Sequence, residues 1–256
     1  MLPQSELFDL LEAKYELYNN LSFIETDPVS IPHLFSKKED IEISGFLAAT
    51  IAWGQRTTII RNARQLMEGM DNCPHEFIIN ASAGELERFA HFKHRTFNGI
   101  DLLYFMEALK HIYTVHGSIG AVFGQYMKEE QNIGNAISQF RKLFFSLPHP
   151  ARTRKHIADP SENSSAKRIN MFLRWMVRKD NRGVDFGIWE HVSASRLLCP
   201  LDVHSGNVAR KLGLLHRKQN DWKAVEELTA QLRCFDALDP VKYDFALFGL
   251  GVFERF

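Results

Sequence analysis

Residues 101–117 read DLLYFMEALKHIYTVHG, with apolar side chains three and four positions apart and a glycine at the end. That period gives a helix one buried face. It recurs along most of the chain, while the strict alternation of a half-buried strand is scarce. Read this way, the 256 residues make an all-α protein of about ten to twelve short helices. The period predicts helices over 5–19, 57–70, 75–80, 83–89, 118–128, 132–146, 165–178, 203–212, 221–233 and 240–249. A further helix is expected from Asp40, with Ile43, Phe46, Leu47 and Ile51 on its inner face, and Asp101 is expected to cap the helix that closes at Gly117. Trp53-Gly54-Gln55 interrupts the helical pattern, residues 27–35 read as a proline-punctuated loop, and 146–165, with three prolines, reads as a long loop. No internal repeat is present.

Several function classes drop out early. Cys73, Cys199 and Cys234 are far apart and form no paired motif, which argues against a disulfide framework, a structural zinc site or a four-thiolate cluster. No cofactor is expected. His149 and His156 lie in loop sequence without metal-ligand spacing, and Gly249-Leu250-Gly251 is too short to be a dinucleotide fingerprint. The first twenty residues carry acids through their apolar part and read as an amphipathic helix, and no apolar run reaches membrane-spanning length. The expectation is a cytoplasmic protein with no membrane association and no obligatory protein partner. The net charge is zero, yet residues 151–218 hold 14 Lys and Arg against 6 Asp and Glu. Such a segment is either a phosphate-facing surface or a solvated helical face.

Two charged residues stand at expected helix starts. Asp202 follows Cys199-Pro200-Leu201 and precedes VHSGNVARKLGL. There it can cap the helix, and the field of the helix end keeps it ionised. Lys167 falls in the first turn of SAKRINMFLRWMVRK, which Ser164 or Ser165 could cap. A cation at that end opposes the helix dipole, which favours the neutral amine that Schiff-base chemistry requires. Either residue alone is also consistent with an ordinary cap or an exposed lysine. His204 reads as a first-turn surface residue, and Asp185 and Glu190 as exposed acids flanking Phe186, Ile188 and Trp189.

Taken together, the lysine and the aspartate of PLDVHSGNVARKLGL (200–214) resemble the helix-hairpin-helix DNA glycosylase superfamily. FLAATIAWGQRTTIIRNARQLM (46–67) and DWKAVEELTAQLRCFDALDPVKYDFALFGLG (221–251) resemble further parts of that superfamily in the same order. The Lys-to-Asp spacing is closest to the archaeal 8-oxoguanine glycosylase branch, and the pattern also fits an uncharacterised bacterial family within or beside the superfamily. The resemblance implies a two-lobed helical fold with a helix-hairpin-helix element. It would run as a single unit over 1–256, with one lobe near 40–150 and the other formed by 1–39 plus 151–256.

It also implies excision of a damaged base, an oxidised purine by analogy, from duplex or single-stranded DNA, with strand cleavage as a possible second step. Lys167 would be the nucleophile and Asp202 its charged partner. Gln55 would contact the extruded nucleotide, Trp53 would stack on a base, and Arg56, Arg168, Arg210 and His204 would meet DNA. One departure stands out. The superfamily hairpin is glycine-containing and binds a phosphate through its backbone, whereas here it reads ENSSAK, with Asn163 able to supply one left-handed residue. Two alternatives therefore remain: a non-catalytic helix-hairpin-helix protein that binds DNA or a nucleoside, and an all-α scaffold unrelated to DNA.

Overall fold

The computed structural model describes residues 3–130 and 132–256. It is predominantly helical, as the period predicts. In chain order the helices are α1 (Gln4–Tyr18), α2 (Leu21–Glu25), α3 (Lys38–Thr50), α4 (Arg56–Gly69), α5 (Pro74–Asn80), α6 (Ala83–Leu86) and α7 (Gly99–Val115). They continue with α8 (Ile119–Glu129), α9 (Ile133–Phe144), α10 (Lys167–Val177), α11 (Val203–Lys211), α12 (Trp222–Arg233) and α13 (Tyr243–Val252). The period does not reveal a two-stranded hairpin, β1 (Lys93–His94) with β2 (Phe97–Asn98), turned by Arg95 at φ 54°. Two strands of two residues are too short to show an alternation.

The stretches expected as loops are not structureless. Pro28–Ser30 and Pro32–Leu34 are 3-10 turns, each opened by its proline, and so are Ala151–His156 and Pro160–Glu162.

Two helix starts differ from the expected ones. Asn98, not Asp101, caps α7, and Asp101 is the third residue of a reciprocal capping box. Helix α3 opens after Lys37, so Asp40 lies inside its first turn and accepts a hydrogen bond from the backbone N–H of His75 at 2.8 Å.

The chain divides into two compact units. The first comprises residues up to 23, 132–134 and 159–256, and the second takes the rest from 24 to 158. Residues 24–39 thus belong with α3 and α4 and not with residues 159–256. The reason is local, because the two 3-10 turns between 28 and 34 pack onto those helices and bury Val29 and Ile31 completely.

Phenylalanine dominates the interior of the second unit. Phe105 lies 4.7 Å from Phe144 and 5.2 Å from Phe97, and Phe123 stacks on Phe140 at 4.6 Å, centroid to centroid. Rings at these separations favour edge-to-face and offset contacts. In the first unit, α13 packs against α1 and α11. Gly249 is required there because a Cβ would lie 2.0 Å from the ring of Tyr18.

Candidate functional site

The first unit brings the starts of three helices to one loop cluster. Before α10 the chain makes the 3-10 turn at Pro160–Glu162, capped by Asp159, and then reverses at Asn163 with φ 59°. Ser164 forms an antiparallel bridge with Asp221, the cap of α12, and Asn163 Nδ2 donates to Asp221 Oδ2 at 3.1 Å. The backbone N–H of Trp222 donates to the Asn163 carbonyl at 3.2 Å. Asn163 therefore supplies a left-handed residue at this reversal, as its sequence position suggests.

Neither Ser164 nor Ser165 caps α10. That position falls to Ala166, buried and left-handed at φ 46°, with no side-chain cap. The bridge to Asp221 occupies Ser164, so the helix starts only after a second reversal. An alanine in this region costs on the order of 1–3 kcal/mol, and such strain clusters at functional sites.

Helix α11 begins at the same place. Asp202 Oδ1 accepts from the backbone N–H groups of His204 at 2.8 Å and Ser205 at 3.0 Å. Ser205 Oγ accepts in return from the Asp202 N–H at 3.0 Å, closing a capping box. Asn220 Nδ2 donates to the Asp202 carbonyl at 2.9 Å, which ties this helix start to the cap of α12.

With Oδ1 committed to the helix, Oδ2 faces Lys167, whose Nζ lies 3.6 Å away. About a quarter of each side chain is open to solvent, 26% for Lys167 and 28% for Asp202. Burial alone would push the Asp202 carboxyl up. The Lys167 ammonium and the Ser205 and His204 N–H groups outweigh it and hold the carboxyl below its ordinary value.

A third charged group escaped the reading of the sequence. Asp244, in the first turn of α13, is buried and paired with Arg174, which lies two turns along α10 from Lys167. Burial raises the Asp244 carboxyl to about 6, against the pull of Arg174 and Lys167 and with reinforcement from Asp202 and Asp185. Asp185 is itself buried, not exposed, because it accepts from Arg174 Nε at 3.3 Å and Arg178 Nη1 at 3.1 Å. Glu190 is exposed and pairs with Lys179. Cys199 is fully buried, and its thiol is pushed well up, first by burial and then by Asp244. It is the wrong state for a nucleophile.

The surplus of cations in 151–218 is thus partly used inside the protein. Arg174 and Arg178 are buried among carboxylates. Arg210 is half-buried, donating from Nε to the Arg217 carbonyl at 2.8 Å and from Nη2 to Asn220 Oδ1 at 2.5 Å. Arg168 is half-buried, and desolvation lowers its guanidinium to about 10, still a cation at neutral pH. His204 is an exposed first-turn residue of α11.

The remaining expected site residues belong to the second unit. Trp53, Gly54 and Gln55 break the chain between α3 and α4, with Gly54 at φ 102°. Gln55 is exposed at the cap position of α4 without a side-chain cap bond, and Arg56 is the first residue of that helix. Trp53 is braced. Its ring lies parallel to His156, 8° between planes and 5.8 Å between centroids, and edge-on to His94 at 5.4 Å. His94 Nδ1 faces Asn62 Nδ2 at 3.0 Å and His94 Nε2 faces the Trp53 carbonyl at 3.2 Å, an arrangement that suits a neutral imidazole with its proton on Nε2.

Behind His156, the fully buried Asp101 lies 3.3 Å from its Nε2 and accepts from Thr153 Oγ1 at 2.8 Å. The cap residue of one reading and the loop histidine of another therefore act together to hold an aromatic ring. Among the described residues no group of His, Cys, Asp or Glu could hold a metal ion, and no helix is long and apolar enough to cross a membrane.

Compared with known proteins, residues 27–253 match a family described as "Protein of unknown function (DUF2400)". No curated protein and no solved structure gives a significant match.

Proposed function

The chain belongs to the DUF2400 family, and from the geometry of its own residues we propose that it is a DNA glycosylase working through Lys167 and Asp202. The observation that carries the reading is the division of labour in Asp202. One oxygen is fixed by two backbone N–H groups and the other is aimed at an amine 3.6 Å away. A nucleophile beside an oriented carboxylate is the arrangement that amine attack on an acetal carbon calls for.

In this reading a nucleotide turned out of the stack presents its C1′ to Lys167. The Lys167 ammonium first gives a proton to solvent, and the neutral amine nitrogen then bonds to C1′ as the bond from C1′ to the base breaks. The base leaves with the electron pair and takes up a proton. Asp202 stabilises the positive charge that develops on the sugar and receives the proton that the attacking nitrogen loses. Opening of the sugar ring then gives a protonated imine, from which β-elimination can cleave the strand. In the second unit, Trp53 is held by His156 and His94 as a rigid aromatic surface, and Gln55 and Arg56 are exposed or half-exposed beside it in sequence.

The test is borohydride trapping on duplex and single-stranded oligonucleotides carrying 8-oxoguanine, uracil, other lesions or an abasic site. A covalent adduct is expected with the wild-type protein and none with Lys167→Ala. Asp202→Asn separates the two jobs of the aspartate. Asn caps a helix about as well as Asp and the ion pair is partly exposed, so stability should change by less than about 1 kcal/mol while trapping is lost. Salt-sensitive DNA binding without any adduct would instead favour a non-catalytic DNA-binding protein.

A further inference from the structure

Helix α10 carries Lys167 at its first position and Arg174 two turns later on the same face. Arg174 is gripped from two sides, by Asp185 and by Asp244, and its guanidinium lies over the ring of Phe245 at 4.2 Å. Asp244 in turn lies on α13, which packs against α11, the helix that Asp202 caps. One buried carboxylate is thus fastened to the helix of the lysine and seated on the helix of the aspartate.

We propose that Asp244 is a positioning residue for the Lys167–Asp202 pair, and that its carboxylate, ionised or protonated, decides how firmly the Lys167 ammonium keeps its proton. The claim concerns the site to which the glycosylase reading assigns the chemistry, and it rests on that reading for its consequence in catalysis.

The charged surroundings support this. The groups that act on Asp244 are Arg174 and Lys167 from α10, Asp202 from the start of α11 and Asp185 from the segment after α10. From α1, Glu12 bonds to the Tyr243 hydroxyl and Lys242, and Tyr15 lies against Phe245, so the titratable groups of that helix meet the neighbours of Asp244. Cys199 is a further ionisable neighbour, and it is kept as the thiol.

An ionised Asp244 adds a negative charge near Lys167 and stabilises the ammonium. Protonation removes that charge, and the amine gives up its proton more readily. Because the Asp244 carboxyl is pushed up to about 6, this change falls about two units above the ordinary carboxyl range.

The experiment is an NMR titration of protein labelled at lysine side chains, with the Lys167 resonance identified by its loss in Lys167→Arg. In the wild-type protein the Lys167 signal should show an inflection near pH 6 besides its own titration. The charge of His204 also bears on Asp202, so the inflection must survive His204→Gln. In Asp244→Asn it should vanish, and the Lys167 midpoint should fall by roughly half a unit or more, about a threefold rise in neutral amine below the midpoint. The acid limb of the trapping rate should move down with it. A wild-type signal without the inflection, or an Asp244→Asn midpoint equal to that of the wild type, overturns the proposal. The wild-type measurement decides it even if the variant does not fold. An inflection without an adduct on any DNA would leave the coupling in place and remove the glycosylase reading, so the two claims fail separately.

Discussion

The two units solve the problem of an interior in opposite ways. In the second, Phe46, Phe105, Phe123, Phe140 and Phe144 pack ring on ring, with no polar atom to satisfy within the cluster. In the first, a chain of ions runs through the buried space. Arg178 contacts Asp180 at 2.7 Å, Asp239 at 2.8 Å and Asp185 at 3.1 Å and donates to the Tyr15 hydroxyl at 2.8 Å, while Arg174 joins Asp185 to Asp244. Burying charge is expensive and is seldom the cheapest way to gain stability. A unit that does so next to the Lys167–Asp202 pair is organised around electrostatics as well as packing, and the aromatic unit has the character of a scaffold.

Breaking the ion chain should have the largest effect. Arg178→Met leaves Asp185 and Asp239 without their shared cation, and should cost about 3–5 kcal/mol, read as a lower urea midpoint. The second effect is a matter of pH. The Asp244 carboxyl titrates at about 6 when folded and near its ordinary value of about 3.9 when unfolded. Its contribution to stability is greatest below the unfolded value and is lost as the pH rises through 6. Asp202, whose carboxyl is lowered, behaves in the opposite sense, contributing above the unfolded value and losing that as the pH falls. The unfolding free energy of Asp244→Asn minus that of wild type should therefore rise by about 2 kcal/mol between pH 4 and pH 7. A flat difference would show that Asp244 is not the titrating group. In the aromatic unit, Phe105→Leu should cost only about 1–1.5 kcal/mol, because neighbouring rings can repack around a smaller apolar group. If that cost matched the loss at Arg178, the contrast between the two interiors would fail.

The same contrast explains what could be read from the sequence. Helix positions were legible because burial of one face imposes the 3.6-residue period directly, as in 57–70 and 221–233. Helix starts were harder. Asp101 was a natural cap by composition, but Asn98 holds that position, and Asp101 turned inward to Thr153 and His156. Capping depends on which residue adopts extended backbone, and neighbours far along the chain decide that. The Lys167 and Asp202 positions were legible because each sits at a helix start of recognisable composition. Asp185 and Asp244 were not, since their burial depends on Arg174 reaching 11 residues forward to one and 70 to the other. The sequence signal for them is the excess of arginine in an otherwise helical, apolar stretch, which is partly interior.

The capping box at Asp202 also governs where a negative charge can point. Two backbone N–H groups and the hydroxyl of Ser205 surround Oδ1, so the plane of the carboxylate turns only when the first turn of α11 turns. Side-chain motion and helix motion become one coordinate there. A glutamate at this position would carry the same charge on a longer arm, could not keep both bonds to the helix, and would free its second oxygen to sweep a cone of directions. What the helix supplies to Lys167 is therefore direction more than charge, and a variant that conserves the charge while releasing the direction should behave like one that has lost both.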